Sequence, residues 1–250
     1  MPWPLPETDD ELLRLAKGYP YRTPGRSYLY TSEAVGPLDA ADGREFIARV
    51  PVIAHGSNRS PQQLARKFGS WSAAESRIPV TRGWLADYDV VYSAHVTRYG
   101  SVAANLQHSP GARVELYVTW LDAAQVGRMH DTELGSETYH YGRLTGIRLA
   151  VEGHPEGELG QAMVYVSRRG CLADDGRPVA LAASAGEGRH PAMAQEEALA
   201  FVRDRFRPGR SLDAHILETI REPSKREVLI EEMMARAVAP QVPHFEKELP

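Results

Sequence analysis

The order of patterns along the chain predicts an α+β fold, with strand-like segments first and helices gathered toward the C-terminus. Three observations carry that expectation. Residues 50–54 form a short apolar run that leads into a Gly-Ser-Asn turn. Residues 113–120 alternate, with Val114, Leu116, Val118 and Trp120 pointing one way and Glu115, Tyr117 and Thr119 the other. Residues 192–206, 211–221 and 224–237 each read as a helix. A doubly wound parallel sheet would instead alternate strands and helices throughout.

Taken in order, the first element is a helix over Asp9 to Lys17, followed by a Pro-, Gly- and Tyr-containing stretch of little periodicity. Tyr19, Tyr21, Tyr28 and Tyr30 are costly to leave in water, so this stretch is expected to wrap the domain. After the strand at 50–54, Ser60 has the chemistry of an N-cap and Pro61 suits the first helical position. Leu64 and Phe68 share one face of that helix, and Gly69 stops it. Strands follow at 88–96 and 113–120. Asp122 and Gln125 form a capping box with Leu121 and Val126 as its staple, which predicts a helix from Ala123 to about Asp131. Glu133 is thereby expected just past a helix end. Two more strands are expected near 141–151 and 159–167, and a Gly-, Ala- and Asp-rich loop over 171–191. The last helix is expected to open on a Ser224–Glu227 capping box, and the tail from Pro240 to Pro250 to be extended or disordered.

Composition bounds the function. With 250 residues, 42% hydrophobic and 25% charged, the chain is of ordinary globular make-up and long enough for one sizeable core with appendages. A net charge of −4, with both signs interspersed, offers no basic footprint for nucleic acid and no reason to bind anionic lipid. No segment approaches the roughly 18 apolar residues of a membrane-spanning helix. The N-terminal Met1-Pro2-Trp3-Pro4 lacks the basic and apolar regions of a signal peptide. The lone cysteine, Cys171, cannot form an internal disulfide. A soluble cytoplasmic protein is expected, its oligomeric state open.

The stretch Val52-Ile53-Ala54-His55-Gly56-Ser57-Asn58 points to chemistry. Glycine in such a turn can take backbone angles closed to other residues and lets main-chain N–H groups converge, and a following helix adds the positive end of its dipole. Such a corner suits a carboxylate or a developing oxyanion. It also suits a plain strand–turn–helix corner with no ligand.

The turn is one of an ordered set: His55-Gly56-Ser57-Asn58, then Ser109-Pro110-Gly111, then a strand ending in Trp120-Leu121, then Met129-His130-Asp131-Thr132-Glu133. This set resembles the gamma-glutamylcyclotransferase-like superfamily over about residues 50 to 168. In that family a Tyr-Gly-Ser-Asn turn follows the first strand, a Ser-Pro-Gly turn precedes a central strand, and a Leu-Asp-x-x-Glu segment supplies a catalytic carboxylate. The resemblance implies a small mixed β-barrel with peripheral helices. It divides the chain into an N-terminal extension (1–45), the barrel domain (46–190), a helical C-terminal extension (191–239) and a tail (240–250). It also implies attack of a substrate's α-amino group on its own γ-glutamyl carbonyl, closing 5-oxoproline and expelling an amine, with Glu133 moving the proton once burial has raised its pKa. His55, Gly56, Ser57 and Asn58 would hold the glutamyl part. No metal, cofactor or covalent nucleophile is implied. Two positions depart from the pattern. His55 stands where tyrosine is usual, and the loop near Pro191 carries Met193 and Gln195 but no tyrosine. A barrel that binds a small molecule and has lost the reaction is the rival expectation.

Other candidates are weaker. His130, Glu137 and His140 include a Glu-x-x-His spacing, but Gly135 and the tyrosine-rich strand signal argue against the helix a metal site would need. Ser57 as a nucleophile would need a base, and His55 two residues away can face the other side of a strand. Cys171 has no base nearby, and Gly186-Glu187-Gly188 lacks the context of a phosphate loop. Val228, Leu229, Ile230, Met233 and Met234 read as a core-packing helix face. Asn105 and Tyr139 are placed as possible cleft residues.

Overall fold

The computed structural model describes residues 3–39, 43–134, 138–184 and 186–248. Helix α1 (Asp9–Lys17) begins on Thr8, whose hydroxyl accepts from the Glu11 N–H. Strands β1 (Tyr28–Tyr30) and β2 (Val35–Pro37) form a small hairpin. Then come β3 (Val50–Ala54), α2 (Pro61–Phe68), β4 (Ile78–Val96), β5 (Val102–Leu121), α3 (Ala123–Glu133), β6 (Tyr139–Val151) and β7 (Glu158–Ser167). Helices α4 (Gln195–Phe206), α5 (Leu212–Arg221) and α6 (Pro223–Met234) follow, and a short strand, Phe245–Lys247, pairs with β6.

Five strands close into a ring. Strand β3 pairs with β5, β5 with β4, β4 with β6 and β6 with β7, all antiparallel, and β7 returns to β3 in parallel register through Val52↔Met163 and Ile53↔Val164. One parallel seam among antiparallel ones makes it the small mixed barrel that the motifs implied. Each strand sends residues to one shared core: Ile53, Val118, Leu85, Leu144 and Val164 are all buried there. The alternate residues Val52, Ala54, Tyr117, Leu121, Met163 and Tyr165 face a second core with Leu64 and Phe68 of α2 and Met129 of α3. Strand alternation therefore feeds two buried layers, which is why Tyr117 and Thr119 are as buried as the residues beside them. Tyr19, Tyr21, Tyr28 and Tyr30 are buried as the cost of hydrating them required.

The structure departs from the sequence reading in several places. Strands β4 and β5 are about twice the expected length, pairing from Val80↔Thr119 to Val96↔Val102. Ser109-Pro110-Gly111 is no inter-strand turn but lies inside β5. There the register jumps from Ala86↔Arg113 to Tyr88↔His108, so residues 109–112 stand against Asp87 alone. Gly111 sits at φ +75° and donates its N–H to Asp87 Oδ1 at 2.8 Å. Such a bulge bends the ribbon: its first half closes the ring, its second half runs on toward the C-terminal helices. Helix α3 continues to Glu133, two residues beyond the expected end, because Leu134 still donates to the His130 carbonyl. Helix α6 starts one residue earlier than expected, with Pro223 at its first position and no side-chain cap, so the expected Ser224 box is not formed. Much of 171–191 is irregular but tacked down by two-residue pairings such as Ala173–Asp174 with Arg177–Pro178.

The two chain ends meet. Helix α1 packs on α4 and α5, and Lys17 bridges to Asp213 (2.6 Å) and Glu196 (3.7 Å). On α6, Leu229, Ile230 and Met233 are buried while Val228 and Met234 are exposed, so the expected five-residue core face is narrower than read.

Candidate functional site

The parallel seam places one end of β3 beside one end of β7, and the chain leaves β3 there through His55 and Gly56 into a single 3₁₀ turn, Ser57–Arg59. Ser60 then caps α2, accepting from the Gln63 N–H. The N–H groups of Ser57 and Asn58, at the head of that turn, find no acceptor among the described residues. Gly56 has φ −107° and ψ −142°, so it is not there for a left-handed backbone. It is there for space: a Cβ would lie 2.5 Å from the Tyr19 hydroxyl, which accepts from the Ala104 N–H at 2.8 Å. Sequence reading expected the glycine to supply unusual angles; close approach of Tyr19 is the actual constraint.

A cavity of about 450 Å³ opens at this corner. His55, Gly56, Ser57, Asn58 and Glu133, the five residues singled out from the sequence, all line it. Glu133 arrives from the last turn of α3 and Asn58 donates its amide to Glu133 Oε1 at 3.1 Å. A residue that the sequence reading passed over completes the group. Lys67, in the last turn of α2 and with only 1% of its side chain exposed, forms an ion pair with the same Oε1, and its Nζ lies 3.2 Å from Met129 Sδ. Its signal was available in principle: on a helix whose Leu64 and Phe68 are buried, position 67 falls on the inward face.

The expectation that burial raises the Glu133 pKa is overturned. Burial does push it up, but the Lys67 charge and hydrogen bond, with the Asn58 amide and nearby His55, outweigh it and hold the carboxyl below its ordinary range. Lys67 in turn is lowered by burial against the pull of Glu133. Both contacts fall on Oε1, which leaves Oε2 without a partner among the described residues. His55 is buried, its Nδ1 unpartnered, and burial pushes its imidazole down to about 4, so the ring is neutral near pH 7.

Tyrosines line much of the remaining wall: Tyr19, Tyr99, Tyr139 and Tyr165. Burial raises Tyr99 to about 12, and Ser57 lines the same wall. Nothing joins Ser57 to His55. Tyr139 lines the cavity as expected, whereas Asn105 does not. It is buried in the core, accepting from the Ser167 N–H (2.9 Å) and donating to Cys171 Sγ (3.7 Å). Cys171 is buried with its thiol pushed up to about 11, an inert core residue. His130 is spent on Tyr165, Nδ1 to hydroxyl 2.9 Å. Glu137 and Gly135 lie outside the described residues, and among the described residues no cluster of His, Cys, Asp or Glu could hold a metal. Gly186–Glu187 pairs with the edge of β5. No helix among the described residues is long and apolar enough to cross a membrane.

No family model matches the sequence, and no curated protein matches it. Solved structures do. The chain is similar to an uncharacterized protein from Homo sapiens at 13% identity and TM-score 0.39, over 78% of this chain and 90% of the other. It is similar to a protein titled gamma-glutamyl cyclotransferase at 13% identity and TM-score 0.38, over 76% and 99%. A third, YkqA from Bacillus subtilis, gives 11% identity and TM-score 0.35, over 63% and 60%. The family that the motifs resemble is represented among them.

Proposed function

We infer that the chain is a cyclotransferase that releases an amine from a γ-glutamyl compound by ring closure to 5-oxoproline. The observation that carries this is one cavity holding both a carboxylate fixed through a single oxygen and an amide-lined turn with unspent N–H groups. The turn is suited to the substrate's carboxylate or to the oxygen that gains charge as the carbonyl is attacked. Glu133 Oε2 is free for the substrate's ammonium. Lys67 keeps that carboxyl ionised at neutral pH, ready to take a proton.

The balance of the step is simple. The ammonium gives a proton to Glu133, and the freed α-amino nitrogen bonds to the γ-carbonyl carbon. Glu133 passes the proton to the leaving nitrogen as its bond to that carbon breaks, and the second proton shed by the ring nitrogen follows through Glu133 to the departed amine, which leaves as an ammonium ion. Folding the substrate so that its own nucleophile meets its own electrophile supplies much of the rate, which is why a single proton-moving group is enough.

A second reading has an observation of its own: an ion pair that holds Glu133 below its ordinary pKa also makes it a weaker base, which suits a binding module without turnover. The experiment is incubation of the purified protein with a panel of γ-glutamyl amines and amino acids. Equal amounts of 5-oxoproline and free amine, abolished by Glu133→Gln in a folded protein, support the enzyme. Tight binding with no 5-oxoproline, unaffected by that substitution, supports the module. Loss of activity with a chelator would point to metal-dependent hydrolysis instead.

A further inference from the structure

The turn that lines one side of the cavity has a buried charge behind it. Arg59 is the last residue of the Ser57–Arg59 turn, only 5% exposed, and it stands outside the cavity lining. Its guanidinium donates to the Ala183 carbonyl at 2.9 Å and to Ser184 Oγ at 3.3 Å, and its buried Nε has no partner among the described residues. The Arg59 backbone oxygen accepts from the Tyr28 hydroxyl at 2.7 Å. Arg59 thus ties the turn to the segment after Leu181 on one side and to the β1–β2 hairpin on the other.

None of those partners is an anion. Among the described residues no carboxylate stands within salt-bridge distance of Arg59, and Glu115, whose charge it feels, is paired with Arg82. At the same corner Lys67 cancels Glu133. Asp131, the other carboxylate of that wall, is 67% exposed and lies 4.0 Å from Arg128. The corner therefore keeps one buried positive charge in excess.

That charge reaches the cavity. His55, just before the turn, and Tyr19, packed on Gly56, both line the cavity and both feel Arg59. The turn between them offers the free N–H groups of Ser57 and Asn58, with the positive end of the α2 dipole close behind. His55, itself 6% exposed, keeps Nδ1 without a partner. A guanidinium out of water without a counter-ion is costly, and an anion held within its reach offsets that cost. A unit charge behind one layer of protein changes a site's affinity for an anion by about tenfold or more.

We propose that Arg59 is a positioning residue for the anionic end of the substrate. It holds the turn in place, and from behind it supplies the positive charge that lets the Ser57 and Asn58 N–H groups bind a carboxylate. The ligand group is the carboxylate of the glutamyl half, so the proposal rests on the reading of this cavity as a γ-glutamyl site.

The probes are 5-oxoproline, which carries that carboxylate, and its uncharged amide, 5-oxoprolinamide. Both are titrated by calorimetry into the wild type, Arg59→Gln and Arg59→Lys. Glutamine is neutral yet can still donate to the Ala183 carbonyl; lysine keeps the charge and loses the fork. Arg59→Gln is expected to weaken 5-oxoproline at least tenfold and the amide less than threefold, while Arg59→Lys holds the preference for the acid to within threefold of the wild type. A purely structural tether would move both compounds together. Equal losses for acid and amide, no loss for either, or a lysine variant that behaves like the glutamine one overturns the proposal. Arg59→Met gives the same comparison should Arg59→Gln not fold, and a wild type that binds acid and amide alike, or neither, overturns the proposal without any variant. Turnover of the γ-glutamyl panel is scored separately. Formation of 5-oxoproline by a wild type with no preference for the acid leaves the reaction standing and removes the role of Arg59. A preference for the acid that Arg59→Gln abolishes, with no turnover, keeps the role of Arg59 and removes the reaction.

Discussion

The two ends of the cavity treat buried charge in opposite ways. At one end Lys67 and Glu133 are an ion pair inside the protein, with Asn58 on the same oxygen; at the other, three arginines (Arg98, Arg169 and Arg226) lean on carbonyls, a tryptophan ring and the partly exposed Glu227, which lines the cavity beside them. A closed pair fixes geometry and tunes a proton-moving group, because neither charge can be removed without stranding the other. An open set of cations has only weak ties to the fold and is available to a ligand. The difference is one of charge balance: one end holds a closed pair, the other a set of cations that share a single carboxylate.

Substitutions that unbalance each end should therefore differ in size. Lys67→Met leaves Glu133 buried without its counter-charge and is expected to destabilise the protein by about 3–5 kcal/mol, with Lys67→Met/Glu133→Gln recovering most of it. Urea melts of both variants read this directly. Equal losses in single and double mutants would mean the pair has no coupling.

Gly56→Ala drives a methyl into the Tyr19 hydroxyl and is expected to cost about 1–3 kcal/mol, the range of an overpacked site. Unchanged stability by the same melt would show that the corner has room the geometry does not give it.

Acid should loosen both ends. Burial holds His55 and His95 down to about 4 and about 3, and His215 to about 4. Unfolded, each titrates near 6.5, so between that pH and about 4 the unfolded chain binds more protons than the folded one. Stability is then lost as pH falls through the window, by up to about 1.4 kcal/mol per pH unit for each histidine. Urea midpoints at pH 7, 5.5 and 4.5 should fall, and His95→Gln should flatten the slope by one histidine's share. The smallest effect belongs to the open wall: Arg98→Ala should change stability by about 1 kcal/mol or less, since its stacking on Trp3 is worth little and its charge has no partner to strand. A loss as large as that of Lys67→Met would erase the contrast between the two ends.

Local chemistry explains why some of this was readable from residues alone. Ser60, Pro61 and Gly69 delimit α2 by caps, and Asp122 with Gln125 starts α3 by a capping box, both local signals. The seam that brings β3 beside β7 cannot be seen in any window of sequence, and it is this seam that gathers Glu133 and the Gly56 turn. The turn-proximal half of β5, residues 102–108, was missed because both of its faces are buried, which erases the alternation that marks a half-buried strand; the first half of β4, 78–87, was missed although residues 82–86 alternate in burial. Lys67 was passed over because lysine on an amphipathic helix ordinarily marks the wet side; only the arrival of Glu133 from α3 makes its burial tolerable. Arg226 lies in a segment with no motif, and its approach to Arg98 depends on how the C-terminal helices fold back.

The central claim is that Glu133, held by Lys67 and Asn58, moves the proton in ring closure. Single-turnover formation of 5-oxoproline from the best γ-glutamyl substrate, wild type against Glu133→Gln, tests it most directly. The account predicts a rate loss of about a thousandfold or more, within the range for removal of a general acid–base group, with substrate affinity changed only a few fold. A variant that still forms 5-oxoproline at a rate within about threefold of the wild type would contradict it, since that is far below what loss of such a group costs.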